Sequence, residues 1–162
     1  MNPQITIRPA CAKDEDPVLD VIERTGFFRP TELLIAREVF NDAAEMKPGC
    51  TYQSWVAAAD NKPVGWVCFG ATPCTLGTFD IYWLAVDPSL QRHGIGRHLM
   101  EAAEQKIREQ HGRLMVVETS GTQRYEPTRK FYERIGYTLA ARIPEFYAPG
   151  DDKCVYLKTV PR

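Results

Sequence analysis

The segment that most limits what this chain can fold into runs from Leu84 to Leu99. Residues 78–86, rich in β-branched and aromatic side chains, read as a strand. Asp87-Pro88 follows, then Gln91-x-x-Gly94-x-Gly96, and a helix begins inside the glycine pattern. That helix is expected over 95–111, because Ile95, Leu99, Ala103 and Ile107 recur every four residues. Glu104 and Arg108 can pair one turn apart on its outer side. Free N–H groups at a helix start, together with the positive end of its dipole, make an anion site. Glycine lets the backbone approach a bound group without a Cβ in the way, and Arg92 and Arg97 add charge suited to phosphate. Two familiar phosphate loops do not fit. A dinucleotide fingerprint needs a third glycine where Leu99 stands, and a Walker loop needs a Gly-Lys-Ser/Thr end. Taken alone, the loop is equally a glycine-rich helix start with no ligand.

The remaining pattern predicts strands at 4–9, 52–59, 63–71, 113–119, 137–144 and 153–160, with turns at 60–62 and 148–152. Further helices are expected over 14–25 and 30–45, the second opened by Pro30 and carrying an inward stripe of Leu33, Ala36 and Phe40. A short helix opened by Pro127 and ended by Gly136 turns Phe131 and Ile135 inward. This order packs most economically as a mixed α/β sheet with helices on both faces. At 162 residues, without repeat or linker, residues 1–162 are expected to form one domain.

Composition excludes more than it selects. Twenty basic against twenty-one acidic residues give a net charge of −1, which supplies no global field for nucleic acid. Five scattered cysteines without a C-x-x-C, and three histidines, lack the paired spacing of a metal site, so no metal is expected. Free thiols, no leader pattern at the N-terminus and no membrane-length apolar run point to a cytoplasmic protein.

The strand, Val86-Asp87-Pro88, Gln91-x-x-Gly94-x-Gly96 and the amphipathic helix together resemble the acetyl-CoA-binding motif of the GCN5-related N-acetyltransferases (GNAT). About forty residues on, Phe131-Tyr132-Glu133 with Gly136-Tyr137 resembles a second stretch of that family. The resemblance implies a mostly antiparallel central sheet that splays between its fourth and fifth strands. It implies that amides of Arg92, His93, Gly94, Ile95, Gly96 and Arg97 cradle the CoA pyrophosphate, with Gln91 beside them. Backbone at Leu84, Ala85 and Val86 would pair with the pantetheine arm. Thr128 is a further implied cofactor contact, and so is Tyr125, which stands where many members carry asparagine.

Acetyl transfer to an amine needs a base, because most alkylamines are protonated at pH 7. It also needs donors for the developing oxyanion and a proton for the departing thiolate. By resemblance Tyr132 is the proton donor; the alternative is an aromatic packed on a helix face. Asp80 and Glu118 are the two candidate bases. A strict alternation places Asp80 on the same strand face as Leu84 and Val86. The acceptor wall is expected at Phe27, Phe28 and Arg29, unless these aromatics fold back onto the core, with Tyr82, Trp83 and residues 145–147 opposite. A small primary amine is the expected acceptor; the alternatives are a protein lysine or N-terminus, or a non-catalytic acyl-CoA sensor. Dimers are common in the family, so a homodimer is a further expectation of the resemblance.

Overall fold

The computed structural model describes residues 4–161. Asp60 and Asn61 both take positive φ, 49° and 66°. A two-residue turn of that hand matches the twist of the strands it joins, so β2 (Tyr52–Ala59) folds straight back onto β3 (Lys62–Ala71). β1 (Ile5–Pro9) adds to the free edge of β2, and β4 (Thr78–Val86) lies antiparallel to β3. β5 (Leu114–Ser120) runs parallel to β4, which requires a crossover; α3 (Ile95–Glu109) supplies it. β7 (Asp151–Thr159) returns antiparallel to β5, and β6 (Thr138–Ala148) forms the outer edge. The sheet order is β1-β2-β3-β4-β5-β7-β6 with one parallel pair, the mixed and mostly antiparallel arrangement expected.

Both faces are covered. α1 (Glu15–Thr25) and α2 (Pro30–Ala44) bury Val18, Ile22, Ala36 and Phe40 against Val56, Trp66 and Ala85. On the other face α3 buries the expected Ile95, Leu99, Ala103 and Ile107, while Phe131 of α4 (Glu126–Arg134) and Ile135, just past its end, pack at the margin. Each large side chain so buried contributes roughly 1.5–3 kcal/mol. Trp66 is fully buried, and its Nε1 donates to Ser54 Oγ at 2.6 Å, so its polar edge is satisfied. Gly136 (φ +95°) ends α4 in a Schellman motif: its N–H bonds Glu133 O at 3.1 Å and Tyr137 N–H bonds Tyr132 O at 3.0 Å.

Several boundaries differ from the expected ones, most by one or two residues, β7 beginning at Asp151 rather than 153, and two of the differences have a visible cause. β6 continues to Ala148 rather than ending at 144, because only Pro149 and Gly150 make the turn. α3 stops at Glu109 rather than 111, where His111 has a φ of +60°. A third difference matters more. The β3–β4 register passes from Cys68 opposite Trp83 to Phe69 opposite Ile81, which leaves Tyr82 as an extra residue. Such a bulge reverses the inward and outward alternation. Phe79 and Ile81 face α3 before it, Leu84 and Val86 face α3 after it, and Trp83 and Ala85 face α1 and α2. Asp80 therefore does not share the face of Leu84 and Val86.

Candidate active site

β4 and β5 pair only from Thr78 opposite Leu114 to Ile81 opposite Val117. Beyond that point they part, and a cleft of about 660 Å³ opens between them. Ile81 to Val86 form one side, and Val117 to Ser120 with Thr122, Thr128 and Tyr132 form the other. Along Trp83–Val86 the groups bonded to β3 occupy one strand edge, so the opposite edge presents N–H and C=O groups to the gap. An extended polar chain is the natural partner for such an edge.

At the cleft's end the chain turns into the glycine loop. Asp87 is buried and caps a short 3₁₀ turn, accepting from Ser89 N at 3.0 Å and Ser89 Oγ at 2.7 Å. Desolvation works against its charge, but Ser89 and then Arg24 hold its carboxyl below the usual range. Gln91 Nε2 donates to Val86 O at 3.3 Å and ties the loop back to the strand. Arg92 (φ +68°) and Gly94 (φ +80°) then bend the backbone so that α3 starts at Ile95. A Cβ on Gly94 would meet only His98 Cε1 at 3.8 Å, so glycine keeps that approach clear. Gly96 lies where α3 and α4 meet: a Cβ there would stand 3.4 Å from Phe131, an ordinary contact, so packing does not demand glycine at this position. Ile95 is core and offers only its amide, and Arg97 is held by Glu101 at 2.9 Å. The parted strand and the first-turn amides suit the two ends of acetyl-CoA, an extended pantetheine arm and a pyrophosphate.

Of the residues expected from sequence, Leu84, Ala85, Val86, Gln91, Tyr125 and Thr128 line the cleft, as do Phe27, Phe28, Arg29, Tyr82, Glu118 and Tyr132. Arg92 to Arg97 continue from Gln91 just outside it. Asp80 is not among its walls; its Oδ2 accepts from Thr72 Oγ1 at 2.6 Å within the paired part of the sheet. Glu118 faces the cleft and meets Lys153 Nζ at 2.7 Å. Tyr132 is deeply buried, and burial pushes its phenol well above the ordinary value, so it stays protonated. Its hydroxyl makes no side-chain hydrogen bond among the described residues, yet no buried polar side-chain atom lacks a partner. The oxygen therefore opens onto the cleft that Tyr132 lines.

Phe27 and Phe28 both line the cleft, and Phe28 also packs back against the core beneath α1 and α2. Phe28 packs on Trp83 with centroids 5.1 Å apart, and Tyr82 meets Tyr52 edge-on at 5.2 Å. Burial, with Asp80 nearby, pushes the Tyr82 phenol up to about 12. Sequence reasoning missed Ser120, Arg124 and Asp151, which also line the cleft; Glu32, in the 25–32 loop expected to wall the acceptor, lines it too. Ser120 Oγ donates to Asp151 Oδ1 at 2.6 Å across 31 residues, a contact without any local signature. Glu32 has one: three residues after Arg29, it accepts from Arg29 N–H at 2.7 Å as a capping carboxylate.

Residues 51–139 match the family model described as an acetyltransferase (GNAT) domain. The chain is 30% identical to an uncharacterized N-acetyltransferase of Methanocaldococcus jannaschii, covering 96% of this chain and 92% of that protein. A crystal structure from Desulfovibrio desulfuricans, assigned to the GNAT acetyltransferases, superposes with a TM-score of 0.93 at 39% identity, over 98% of this chain and all of that one. An aminoglycoside 6'-N-acetyltransferase complexed with coenzyme A shares the fold, with a TM-score of 0.75 at 18% identity over 97% and 98% of the two chains. The parted strands and the glycine loop thus stand on a known scaffold, and the chain belongs to the GNAT family of acetyl-CoA-dependent N-acetyltransferases.

Proposed function

We propose that the chain acetylates a small primary amine, with Glu118 as the base and Tyr132 as the proton donor. One observation carries this reading: where β4 and β5 part, the cleft has a carboxylate on one strand and an open phenol on the facing helix. Acetyl-CoA supplies a thioester carbonyl in the gap. The glycine-loop amides hold its phosphates, and the free edge of β4 orients its arm. Glu118 takes a proton from the acceptor ammonium, directly or through one water. The β4 edge amides near Val86 offer donors to the carbonyl oxygen as charge develops there. The neutral amine attacks the thioester carbon, and as the C–S bond breaks Tyr132 gives its hydroxyl proton to the departing sulfur, a role that suits a phenol kept protonated by burial; the surplus proton on the new amide nitrogen then returns the phenolate to phenol. The aromatic wall of Phe27, Phe28 and Tyr82 suits the apolar body of a small amine.

The test is thiol release from acetyl-CoA across a panel of alkylamines, aromatic amines, amino acids and short peptides. Turnover of a small amine, with Tyr132→Phe slowing kcat by roughly a hundredfold or more while acetyl-CoA still binds, is the expected result. Undiminished turnover in Tyr132→Phe removes the tyrosine from the mechanism. Preference for peptides over every small amine would reassign the acceptor.

A further inference from the structure

The loop between α1 and α2 is fastened on both sides of the gap. On the β4 side Arg24, in the last turn of α1, gives Nη2 to Asp87 Oδ2 at 2.9 Å. Asp87 is the residue from which the glycine loop departs. On the β5 side Arg124 donates from Nη2 to the Gly26 carbonyl. The same guanidinium lies 4.7 Å from the Phe27 ring centroid. Tyr125 meets that ring edge-on at 4.9 Å, and its hydroxyl donates to Phe27 O at 3.3 Å. Arg124 and Tyr125 sit 98 residues beyond the loop they hold, on the turn that leads into the helix of Tyr132. Gly26, at φ +70°, makes the span direct by turning the chain out of α1 in one residue. Residues 24–28 thus cross the gap where β4 and β5 have parted.

We propose that Arg124 and Tyr125 are specificity-determining positioning residues: they hold 24–28 as a strap over the cleft, and the strap fixes Phe27 and Phe28 where they select among acceptor amines. This rests on the acetyl-transfer reading above. It also moves Tyr125 from the cofactor to the acceptor side, since its hydroxyl is spent on the strap's backbone. The floor of the cleft at Leu84–Val86 and the glycine loop have their own supports in the β3 pairing and the Gln91 anchor. Loosening the strap therefore alters the acceptor end and leaves the cofactor end in place.

Amide hydrogen exchange over 24–29, calorimetry with acetyl-CoA, and steady-state kinetics on amines of graded size test this in Arg124→Ala, Arg124→Lys and Tyr125→Phe. In Arg124→Ala, exchange at 26–28 rises about tenfold and the acetyl-CoA Kd stays within about twofold. The acceptor KM rises about five- to twentyfold with little change in kcat, and bulkier amines gain ground on smaller ones. Arg124→Lys recovers part of the loss, because an ammonium keeps one donor and the contact with the ring. Tyr125→Phe keeps the ring, removes only the hydroxyl and shows the same pattern more weakly. Unchanged exchange in both Arg124→Ala and Tyr125→Phe overturns the strap. Weakened acetyl-CoA binding with an unaltered acceptor KM also overturns it, and returns the two residues to the cofactor. Exchange and calorimetry need no turnover, so silence of every amine would sink the acetyl-transfer reading while these two measurements still decide the strap.

Discussion

At the scale of single residues, the choice between two carboxylates turns on one extra residue in a strand. Alternation along β4 counts Asp80 in step with Leu84 and Val86, but the bulge at Tyr82 shifts that count by one. Asp80 then finds Thr72 and stays in the paired sheet, while Glu118 faces the cleft. The two substitutions should separate cleanly. Glu118→Gln lowers kcat/KM by about a hundredfold or more at neutral pH, and its rate recovers toward high pH, where the amine loses its own proton. Asp80→Asn stays within about threefold of the parent, because an amide oxygen still accepts from the Thr72 hydroxyl. A pH–rate profile on both variants checks this, and the opposite ranking would make Asp80 the base. The bulge itself had no sequence signal, because it arises from how β3 and β4 settle against two helical layers and not from a residue type at Tyr82.

At the scale of elements, the placement of α3 sets the glycine loop, and β3 sets α3. A Cβ on Gly65 would come within 3.0 Å of Leu99 Cδ1, 3.2 Å of Ala85 O and 3.2 Å of Ile95 Cγ2. The first turn of α3 therefore rests directly on the sheet, and its amides are held where β4 ends. Gly65→Ala should push that turn outward, destabilising the protein by roughly 1–3 kcal/mol and weakening acetyl-CoA binding more than acceptor binding. Calorimetry on the variant checks this; a stability loss with unchanged Kd would detach the loop's position from Gly65. Asp87 gives the same junction a pH dependence. Its folded pKa lies below the ordinary value, with Ser89 and Arg24 outweighing desolvation. The stabilisation is therefore fully present above about pH 4, the unfolded carboxylate value, and is lost as pH falls through the folded value. Asp87→Asn should cost about 1 kcal/mol at pH 7 and flatten the acid limb of a stability profile. A limb that keeps its slope assigns it to other carboxylates.

At the scale of the whole molecule, ligand and fold should be linked. A chain whose cleft walls come from α1, both halves of the sheet and α4 gains stability from anything that binds them together. At a hundredfold excess over Kd, acetyl-CoA should add about 2.7 kcal/mol, which raises Tm by roughly 5–10 °C for a chain of this size. A calorimetric scan showing no shift would contradict binding at this cleft. The order of elements, the inward stripes of α2 and α3, the glycine loop and the Phe131-Tyr132 helix were all legible in the sequence, because each rests on spacing within one segment. Helical and strand periods, caps and turn residues act over a few positions, so they can be read from a string of letters. The tertiary structure alone decided that Asp80 and Glu118 part company, and that Tyr125 holds Phe27. It alone showed that Ser120 meets Asp151 and that Gly65 seats α3. Those outcomes depend on register and on contacts across 31 to 98 residues, which packing settles only after the local elements have formed.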